Sequence, residues 1–535
     1  MKKLVSRFMA VLMAMTMILS MCMTAFAAEA PKGTLTVNNT VAGKTLDLYQ
    51  IFTATKSGDN VAYTLNSAYD GFFKTKVKSG SSLSGEALSE AAYDYVKTQV
   101  GTDGRNGAAF AKDIMGWILG NTATVGTTHT TATTTDSTTV INNLDYGYYV
   151  VYPLAATDIS AAPGEQDYTS VASLVSVTGN TLVNMKSNYP TVVKKVNNKN
   201  ADDVNIGDTV TYTLTSKVPD MTGYTSYVFN FKDTLSAGLT FKKITSVKVG
   251  DTTITKVDAG QEANNTYTLT QDGQNITITM NNFLDSNKDN TGKEIKVTYT
   301  ATLNKDAVTG FDANKNSATV EYSNKPGTDN KGESKPSIVD VHTFNFTIFK
   351  YYLKDATKTG LANAEFELYK TNEAGDAADT NAKINIVKVK DGEYRQATPE
   401  EAAAGGFKSD VIVSGTDGKV LVKGLDAGTY YLRETKAPEG YNKLLSDIKV
   451  EIKATYDENG KLVSYTVDYT YNGNKTTGTA ITDKDNSPEV AVENKTGAQL
   501  PSTGARTALL LTLAGVVLFT FMAASSIYSK RREAR

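Results

Sequence analysis

The stretch Thr209-Val-Thr-Tyr-Thr-Leu-Thr215 alternates polar and apolar residues at every second position. Successive side chains of a β-strand point to opposite faces, so this alternation predicts a strand with one face in a core and the other in solvent. Similar runs recur along the chain, as at Ile276–Met280, and Asn, Asp and Gly residues separate them. Short strands repeated in this way indicate antiparallel, immunoglobulin-like β-sandwiches. We therefore expect a mainly β fold.

One segment departs from this β pattern. Residues 87–119 contain two runs, Ser89–Val96 and Ala108–Trp117, in which apolar side chains recur at helical spacing. The pattern predicts a short helical insertion in the first domain, with Trp117 packed into the core of that domain.

The chain of 535 residues is too long for a single hydrophobic core. Turn-rich stretches at residues 187–190 and 324–332 are predicted boundaries. The expected parts are a signal peptide, an N-terminal domain, a middle β-sandwich, a C-terminal β-sandwich and a C-terminal targeting region, at residues 1–27, 28–187, 188–330, 340–497 and 500–535.

Composition argues against several functional classes. The net charge is −2 at pH 7, whereas nucleic-acid-binding proteins carry a strong basic excess, so no nucleic-acid partner is expected. The chain has only two histidines, His129 and His342, which argues against a histidine-based metal site or catalytic pair. We expect no metal and no cofactor. The single cysteine, Cys22, lies within the predicted signal peptide, so the mature chain has no disulfide.

The two ends have the character of targeting segments. Residues 1–27 begin with basic residues, continue as an apolar run and end in Ala25-Phe-Ala27, which is typical of a secretory signal peptide cut after Ala27. The C-terminus reads Leu500-Pro-Ser-Thr-Gly504, followed by an apolar stretch about long enough to span a bilayer and a basic tail. The sequence therefore predicts a secreted chain held transiently in a membrane by its C-terminus.

The C-terminal combination resembles the LPxTG sorting signal of Gram-positive surface proteins. Its motif residues are Leu500, Pro501, Ser502, Thr503 and Gly504. The resemblance implies that a sortase cuts between Thr503 and Gly504 and passes the Thr503 acyl group to an amine. It also implies covalent attachment to peptidoglycan.

The C-terminal domain contains Tyr430-Tyr-Leu-Arg-Glu-Thr-Lys-Ala-Pro-Glu-Gly-Tyr441. This string resembles the E-box, YxLxETxAPxGY, of CnaB-type domains in Gram-positive pilins and adhesins. Strand alternation places Lys350 near the start of that domain and Asn494 at its end on inward-pointing faces, with Glu434 of the E-box nearby. These three residues form a candidate reactive set.

Burial lowers the pKa of a lysine and so favours its neutral, nucleophilic amine. Attack of Lys350 on the Asn494 amide, with Glu434 as the proton-sharing acid, would release ammonia and leave an intramolecular isopeptide bond. The alternative is a plain salt bridge between Lys350 and Glu434. Because the bond would form once per molecule, the chain is not expected to be a turnover enzyme.

The middle domain repeats this arrangement. Its segment Phe231-Lys-Asp-Thr-Leu-Ser-Ala-Gly-Leu-Thr-Phe241 resembles the DTLxxGLTF stretch of pilin middle domains that form isopeptide bonds. The predicted nucleophile, electrophile and acid are Lys194, Asn324 and Asp233. Two alternatives stay open, because Lys195 is adjacent to Lys194 and Asn316 has the same strand parity as Asn324.

The N-terminal domain lacks a matching set. Asn39 stands where the lysine would fall in its opening strand, so no cross-link is expected there. At the junction with the middle domain, Lys186 occupies the place where shaft pilins carry a lysine, although Val-Tyr-Pro does not precede it. The resemblance makes Lys186 the candidate that attacks Thr503 of a neighbouring copy.

The resemblance as a whole implies the shaft subunit of a covalent pilus that supports adhesion. The implied partners are pilus-type and housekeeping sortases, neighbouring copies of the chain, tip and base pilins, and peptidoglycan. The alternative is a monomeric wall-anchored adhesin whose first domain binds a host surface ligand, either matrix or glycan.

Overall fold

The computed structural model describes residues 31–101, 107–158, 171–185 and 187–496, together with Thr520 and Met522. The described residues are mainly β-strands, which confirms the expected fold class. They fall into two compact units. The described residues of the first unit lie within Met1–Asn200, Val210–Ala301 and Lys315–Val339, and those of the second lie within Ala201–Thr209, Thr302–Asn314 and Asp340–Arg535. The boundaries of three separate sandwich domains stay a prediction.

The N-terminal part of the first unit contains three sheets. One is a three-stranded sheet formed by Thr138–Asp145, Lys32–Asn38 and Asn180–Asn184. Another is a two-stranded sheet formed by Thr157–Asp158 and Ser187–Asn188. The largest is formed by Asn60–Leu65, Thr45–Ser57, Gly147–Pro153, Ser173–Val177 and His129–Thr133. Alternation in the opening strand buries Leu35 and Val37 in a shared apolar core. Asn39 follows that strand with φ of 59°, and its Nδ2 donates to the Met185 carbonyl at 3.4 Å.

The predicted helical insertion is confirmed. Helices span Gly85–Val100 and Gly107–Gly120. Trp117 is half-buried, with its ring centroid 6.1 Å from Tyr69 and 5.9 Å from Phe72. The remaining short helices and 3-10 turns of this part are Ser67–Tyr69, Asp70–Lys76, Gly80–Ser82, Thr122–Val125 and Gly126–Thr128.

The rest of the first unit contains two sheets. The strands of one are, in order, Val193–Val196, Thr209–Lys217, Glu294–Leu303, Leu239–Val249 and Thr252–Thr253. The other includes Lys331–Glu333, Asn314–Ser323, Phe229–Leu235, Asn275–Met280, Thr266–Asp272 and Thr255–Lys256. Val210, Tyr212 and Leu214 are fully buried, so the alternating stretch at Thr209–Thr215 forms the predicted strand. A short helix, Phe283–Asn287, lies between two of the strands.

The second unit also contains two main sheets. The first is built from Thr357–Gly360, Phe344–Lys354, Lys419–Leu425, Glu393–Gln396, Ile386–Lys390 and Glu489–Glu493. The second is built from Ala378–Lys383, Glu365–Thr371, Gly428–Lys436, Ile448–Tyr456, Leu462–Tyr471, Asn474–Thr476 and Ile412–Val413. A short helix spans Pro399–Ala402, and Ala201–Asp203 pairs in parallel with the end of Ser337–His342. Inward-facing side chains of both main sheets form one core.

Several predicted features lie outside the described residues. They are the signal peptide at residues 1–27, Lys186, the sorting signal at residues 500–504 and almost all of the apolar stretch and basic tail that follow it. Within the described ranges, no helix has both the length and the apolar character needed to cross a membrane.

Candidate functional site

The strand Val193–Val196 turns Lys194 into the core. Lys194 is 2% exposed and lies between the buried residues Val192 and Val196, because side chains two positions apart share a strand face. Lys195 points to the other face, is half-buried and donates to Asn200 Oδ1 at 2.5 Å. The structure thus separates the two adjacent lysines, and Lys194 is the buried one.

Lys194 Nζ makes three short contacts within the core. It donates to Asp233 Oδ2 at 2.5 Å, to the Tyr299 hydroxyl at 2.8 Å and to Asn316 Oδ1 at 2.8 Å. Lys194 and Tyr299 come from one sheet, whereas Asp233 and Asn316 come from the other. All four residues are at most 2% exposed. The three ammonium protons therefore each have an acceptor, and the cluster bridges the two sheets.

The sequence favoured Asn324 as the partner of Lys194 and left Asn316 open, and the structure brings Asn316, not Asn324, into contact with the lysine. Asn316 lies opposite Leu235 in the strand that faces the lysine, and it is fully buried. That strand ends at Ser323, so Asn324 lies outside it and is half-buried. Eight residues of extended chain cover about 26 Å, which is too far for both asparagines to reach one amine. Both residues have the parity predicted for the inward face, but only Asn316 lies at the position along the chain that meets Lys194.

Tyr299 is a member of the cluster that sequence reasoning missed. Its hydroxyl donates to Asp233 Oδ2 at 2.7 Å and accepts from Asn316 Nδ2 at 2.8 Å as well as from the lysine. The signal was present in the alternation of Glu294–Leu303, which turns a phenol inward among aliphatic side chains. Tyr212 stacks on this ring at a centroid distance of 5.1 Å. Two aromatic rings thus enclose the lysine.

Burial controls the charge of Lys194. Desolvation lowers the pKa of its amine to about 8, and the negative Asp233 partly opposes that shift. The amine therefore gives up its proton far more readily than an exposed lysine does.

The second unit holds a similar cluster around Lys350. Lys350 is fully buried in the strand Phe344–Lys354, and its Nζ lies 2.9 Å from Glu434 Oε1. The last strand, Glu489–Glu493, pairs in parallel with this first strand and opposes Val492 to Lys350. Asn494 follows the last strand and is 2% exposed. First strand, last strand and E-box thus meet at one buried point.

Hydrogen bonding in this cluster is incomplete. Glu434 Oε2 accepts from the Leu444 amide at 2.7 Å, and Asn494 Nδ2 donates to the Asn442 carbonyl at 2.7 Å. Lys350 Nζ, Glu434 Oε1 and Asn494 Oδ1 are buried without a well-aligned hydrogen-bond partner. Leaving such groups unsatisfied is costly, and native cores seldom tolerate it. Lys350, Glu434 and Asn494 each carry one such atom.

Burial also lowers the pKa of Lys350 to about 8, with Glu434 acting in the opposite direction. The amine is thus readily neutralised, and it lies in a core that water does not enter. In the part of the chain that the structure describes, no group of three or more His, Cys, Asp or Glu residues is arranged to hold a metal ion.

Three family models match successive parts of the chain. Residues 206–326 match the Gram-positive pilin backbone subunit 2, Cna-B-like domain, and residues 348–469 match the SpaA prealbumin-like fold domain. Residues 492–534 match the LPXTG cell wall anchor motif. The buried clusters fall on the first two of these regions, apart from Lys194, which precedes the first region, and Asn494, which falls within the third.

Curated relatives point in the same direction. The trypsin-resistant surface T6 protein of Streptococcus pyogenes is 26% identical over 342 residues, which is 57% of this chain and 52% of that protein. The fimbrial subunit type 2 of Actinomyces naeslundii is 28% identical over 366 residues, which is 64% of this chain and 60% of that protein. The chain thus matches little more than half the length of these relatives.

Among solved structures, the T6 backbone pilin of S. pyogenes serotype M6 aligns with 88% of this chain and 100% of its own, at 17% identity and a TM-score of 0.46. The resemblance seen in the sequence is confirmed by the three family models and the curated relatives. The cell-surface location is confirmed by the anchor motif together with those relatives. These matches identify in this chain a Gram-positive pilin backbone domain, a SpaA prealbumin-like domain and an LPXTG cell wall anchor motif, and together with the curated relatives they indicate a location at the cell wall.

Proposed function

We propose that this chain is the shaft subunit of a sortase-polymerised pilus, and that two Lys–Asn isopeptide bonds close its sandwiches internally. The bonds join Lys194 to Asn316 and Lys350 to Asn494. The observation that carries the proposal is the repeated grouping of a buried lysine, a buried acid and a buried asparagine, once in each unit.

A plain salt bridge accounts for these clusters poorly. Burying an ion pair is expensive, and apolar residues of the same size often serve stability equally well. A salt bridge also gives no role to the asparagine, yet Asn316 Oδ1 lies 2.8 Å from Lys194 Nζ. Because a carbonyl bond is about 1.2 Å long, the amine is no more than about 4 Å from the amide carbon. That is close to the separation of a near-attack arrangement.

The proposed reaction at Lys350 balances as follows. The ammonium passes a proton to Glu434, and the neutral amine then forms a bond to Cγ of Asn494 while the protonated carboxyl polarises Oδ1. The bond from Cγ to Nδ2 breaks, and Nδ2 leaves as ammonia after taking one proton. The second proton lost by the lysine stays on Glu434 or leaves with the ammonia as ammonium.

The positions of the two bonds fit a load-bearing subunit. If neighbouring copies are joined through Lys186 and Thr503, tension enters just before Lys194 and leaves just after Asn494. Each internal bond then carries the force directly between the first and last strands of a sandwich. The residues between the two cross-linked positions of a sandwich would then bear little of the force, so each sandwich would resist unfolding without a disulfide.

Intact mass tests the internal bonds. The full chain should weigh about 34 Da less than its sequence mass, because each bond releases one ammonia of about 17 Da. Asn316→Ala should restore one loss, whereas the matched control Asn324→Ala should restore none. A chain at full sequence mass would contradict the proposal, and restoration by Asn324→Ala alone would return the assignment to Asn324.

The lowered pKa of Lys350 predicts a pH-dependent stability in a chain without the second bond. In Asn494→Ala the amine stays free, with a pKa of about 8 when folded and about 10.5 when unfolded. Between these pH values the unfolded chain binds more protons, so the free energy of unfolding should rise with pH, by up to about 3 kcal/mol. Urea unfolding of the second unit at pH 8 and pH 10 would measure this rise.

The double variant Lys350→Met/Asn494→Ala is the control, because it lacks the titrating amine. The wild type should also lack the effect, since its Lys350 nitrogen is then an amide. Equal pH dependence in Asn494→Ala and the double variant would contradict the assignment of a buried free amine.

A further inference from the structure

Tyr299 lies between the acid and the amide of the first cluster. Its hydroxyl donates to Asp233 Oδ2 at 2.7 Å and accepts from Asn316 Nδ2 at 2.8 Å. Among the described residues, no hydrogen bond joins Asp233 directly to Asn316, and Asp233 Oδ1 is buried without a partner. The phenol is therefore the group that connects the acid to the nitrogen that must leave.

We infer that Tyr299 is a catalytic residue of Lys194–Asn316 bond formation and carries a proton from Asp233 to the departing amide nitrogen. This inference rests on the proposed function. It adds a fourth reacting group to the lysine, acid and asparagine.

The proton transfers balance with the bonds made and broken. Lys194 passes one proton to Asp233 Oδ2, and its nitrogen lone pair then forms a bond to Cγ of Asn316. As the bond from Cγ to Nδ2 breaks, Tyr299 gives its hydroxyl proton to Nδ2 and takes the proton from Asp233. Ammonia leaves, and the second proton lost by the lysine stays on Asp233 or leaves as part of ammonium.

The second cluster explains why only the first one needs a relay. Its acid is Glu434, whose side chain is one methylene longer than that of Asp233. The aromatic residue beside Lys350 is Phe366, whose ring centroid lies 5.7 Å from Lys350 Nζ. Phenylalanine has no hydroxyl. The longer side chain of Glu434 extends further from its strand, so we place the relay in the first cluster alone, where the shorter Asp233 is joined to the amide through the phenol.

The surroundings of Tyr299 suit a relay. Its side chain is fully buried in the core of the sandwich, so bulk water has no access to carry the proton instead. Burial and the nearby Asp233 also raise the pKa of Tyr299 well above its usual value, so the phenol keeps its proton. A buried neutral phenol that donates to a carboxylate can pass on one proton while receiving another.

Tyr299→Phe tests the relay, with Tyr212→Phe as the matched control. Both variants remove one buried phenol oxygen beside Lys194, but the Tyr212 hydroxyl lies near Asn316 without a well-aligned hydrogen bond and does not contact Asp233. The full chain would be made by cell-free synthesis, quenched at intervals in denaturant and weighed. Losing a proton-transfer group slows such steps by about 100-fold or more. Peptide mapping would assign each loss of about 17 Da to its bond.

The expected result is that Tyr299→Phe shows the Lys350–Asn494 loss at the normal rate and the Lys194–Asn316 loss at least about 100-fold later. Tyr212→Phe should match the wild type. Equal rates of Lys194–Asn316 bond formation in Tyr299→Phe and the wild type would overturn the relay and leave the proposed function intact. A wild-type chain without that bond would instead overturn the proposed function.

A fluorinated tyrosine incorporated only at position 299 covers the case in which Tyr299→Phe fails to fold. It keeps the ring and the hydroxyl but binds its proton less tightly. The rate of Lys194–Asn316 bond formation should change while the melting temperature of the chain does not. An unchanged rate would count against proton transfer through this hydroxyl.

Discussion

Cell-wall extracts from cells that produce Lys186→Ala should contain one monomer band after boiling in detergent, whereas the wild type should give a ladder of high-mass bands. Covalent joints between copies survive detergent and heat, and each joint needs an amine from one copy and the Thr503 acyl group from the next. If Lys186 supplies that amine, its removal removes every rung. The loss should then be all-or-none.

Two controls sharpen the result. Lys335→Ala removes an exposed lysine from the stretch before the second unit, and it should leave the ladder unchanged. Thr503→Ala should abolish both the ladder and attachment to the wall. A ladder that persists in Lys186→Ala would exclude Lys186 as the joining residue. A single band in the wild type would instead favour the monomeric adhesin.

Glu434→Gln is expected to give a folded chain that retains one ammonia, of about 17 Da, relative to its own linked form, and that is much less stable in its second unit. Because the substitution itself removes about 1 Da, the variant should be about 16 Da heavier than the wild type. The substitution keeps the shape of the side chain but removes the acid that shares protons with Lys350. The lost bond would close a loop of about 145 residues, for which chain entropy gives about 5 kcal/mol. For a unit of this size the melting temperature should fall by about 10–20 °C.

Differential scanning calorimetry and limited trypsin digestion would measure this effect. Asn494→Ala removes the electrophile instead of the acid, so, measured against its own sequence mass, it should lack the same single loss of ammonia and have a similar melting temperature. Glu365→Gln, in the neighbouring strand, is the control for loss of one carboxylate. If Glu434→Gln keeps the lower mass of the linked chain, Glu434 has no role in bond formation.

Local sequence patterns predicted the inward-facing lysines and the helical insertion of this protein. Strand parity alone turned Lys194 and Lys350 inward, and the structure shows both lysines buried. Parity is local because the side chains of an extended chain alternate whatever the rest of the fold does. The helical insertion could also be predicted from the sequence, since apolar residues spaced three and four positions apart share one face of a helix.

Strand parity did not distinguish Asn316 from Asn324, because alternation assigns both side chains to the same face. The two residues differ only in their position along the chain. Which of these positions lies beside Lys194 depends on how the strand pairs with its neighbour, and the register of that pairing places Asn316 opposite Leu235. Register comes from long-range contacts, which a single stretch of sequence does not encode.

Local sequence patterns predicted the secretion and anchoring signals, the mainly β character and the inward faces of Lys194 and Lys350. Each of these depends on residues that are close together in the chain. The tertiary structure was needed to show that Asn316 contacts Lys194 and that Tyr299 lies between Asp233 and the amide. These four residues come from four strands in two sheets, so their meeting depends on how the sheets pack.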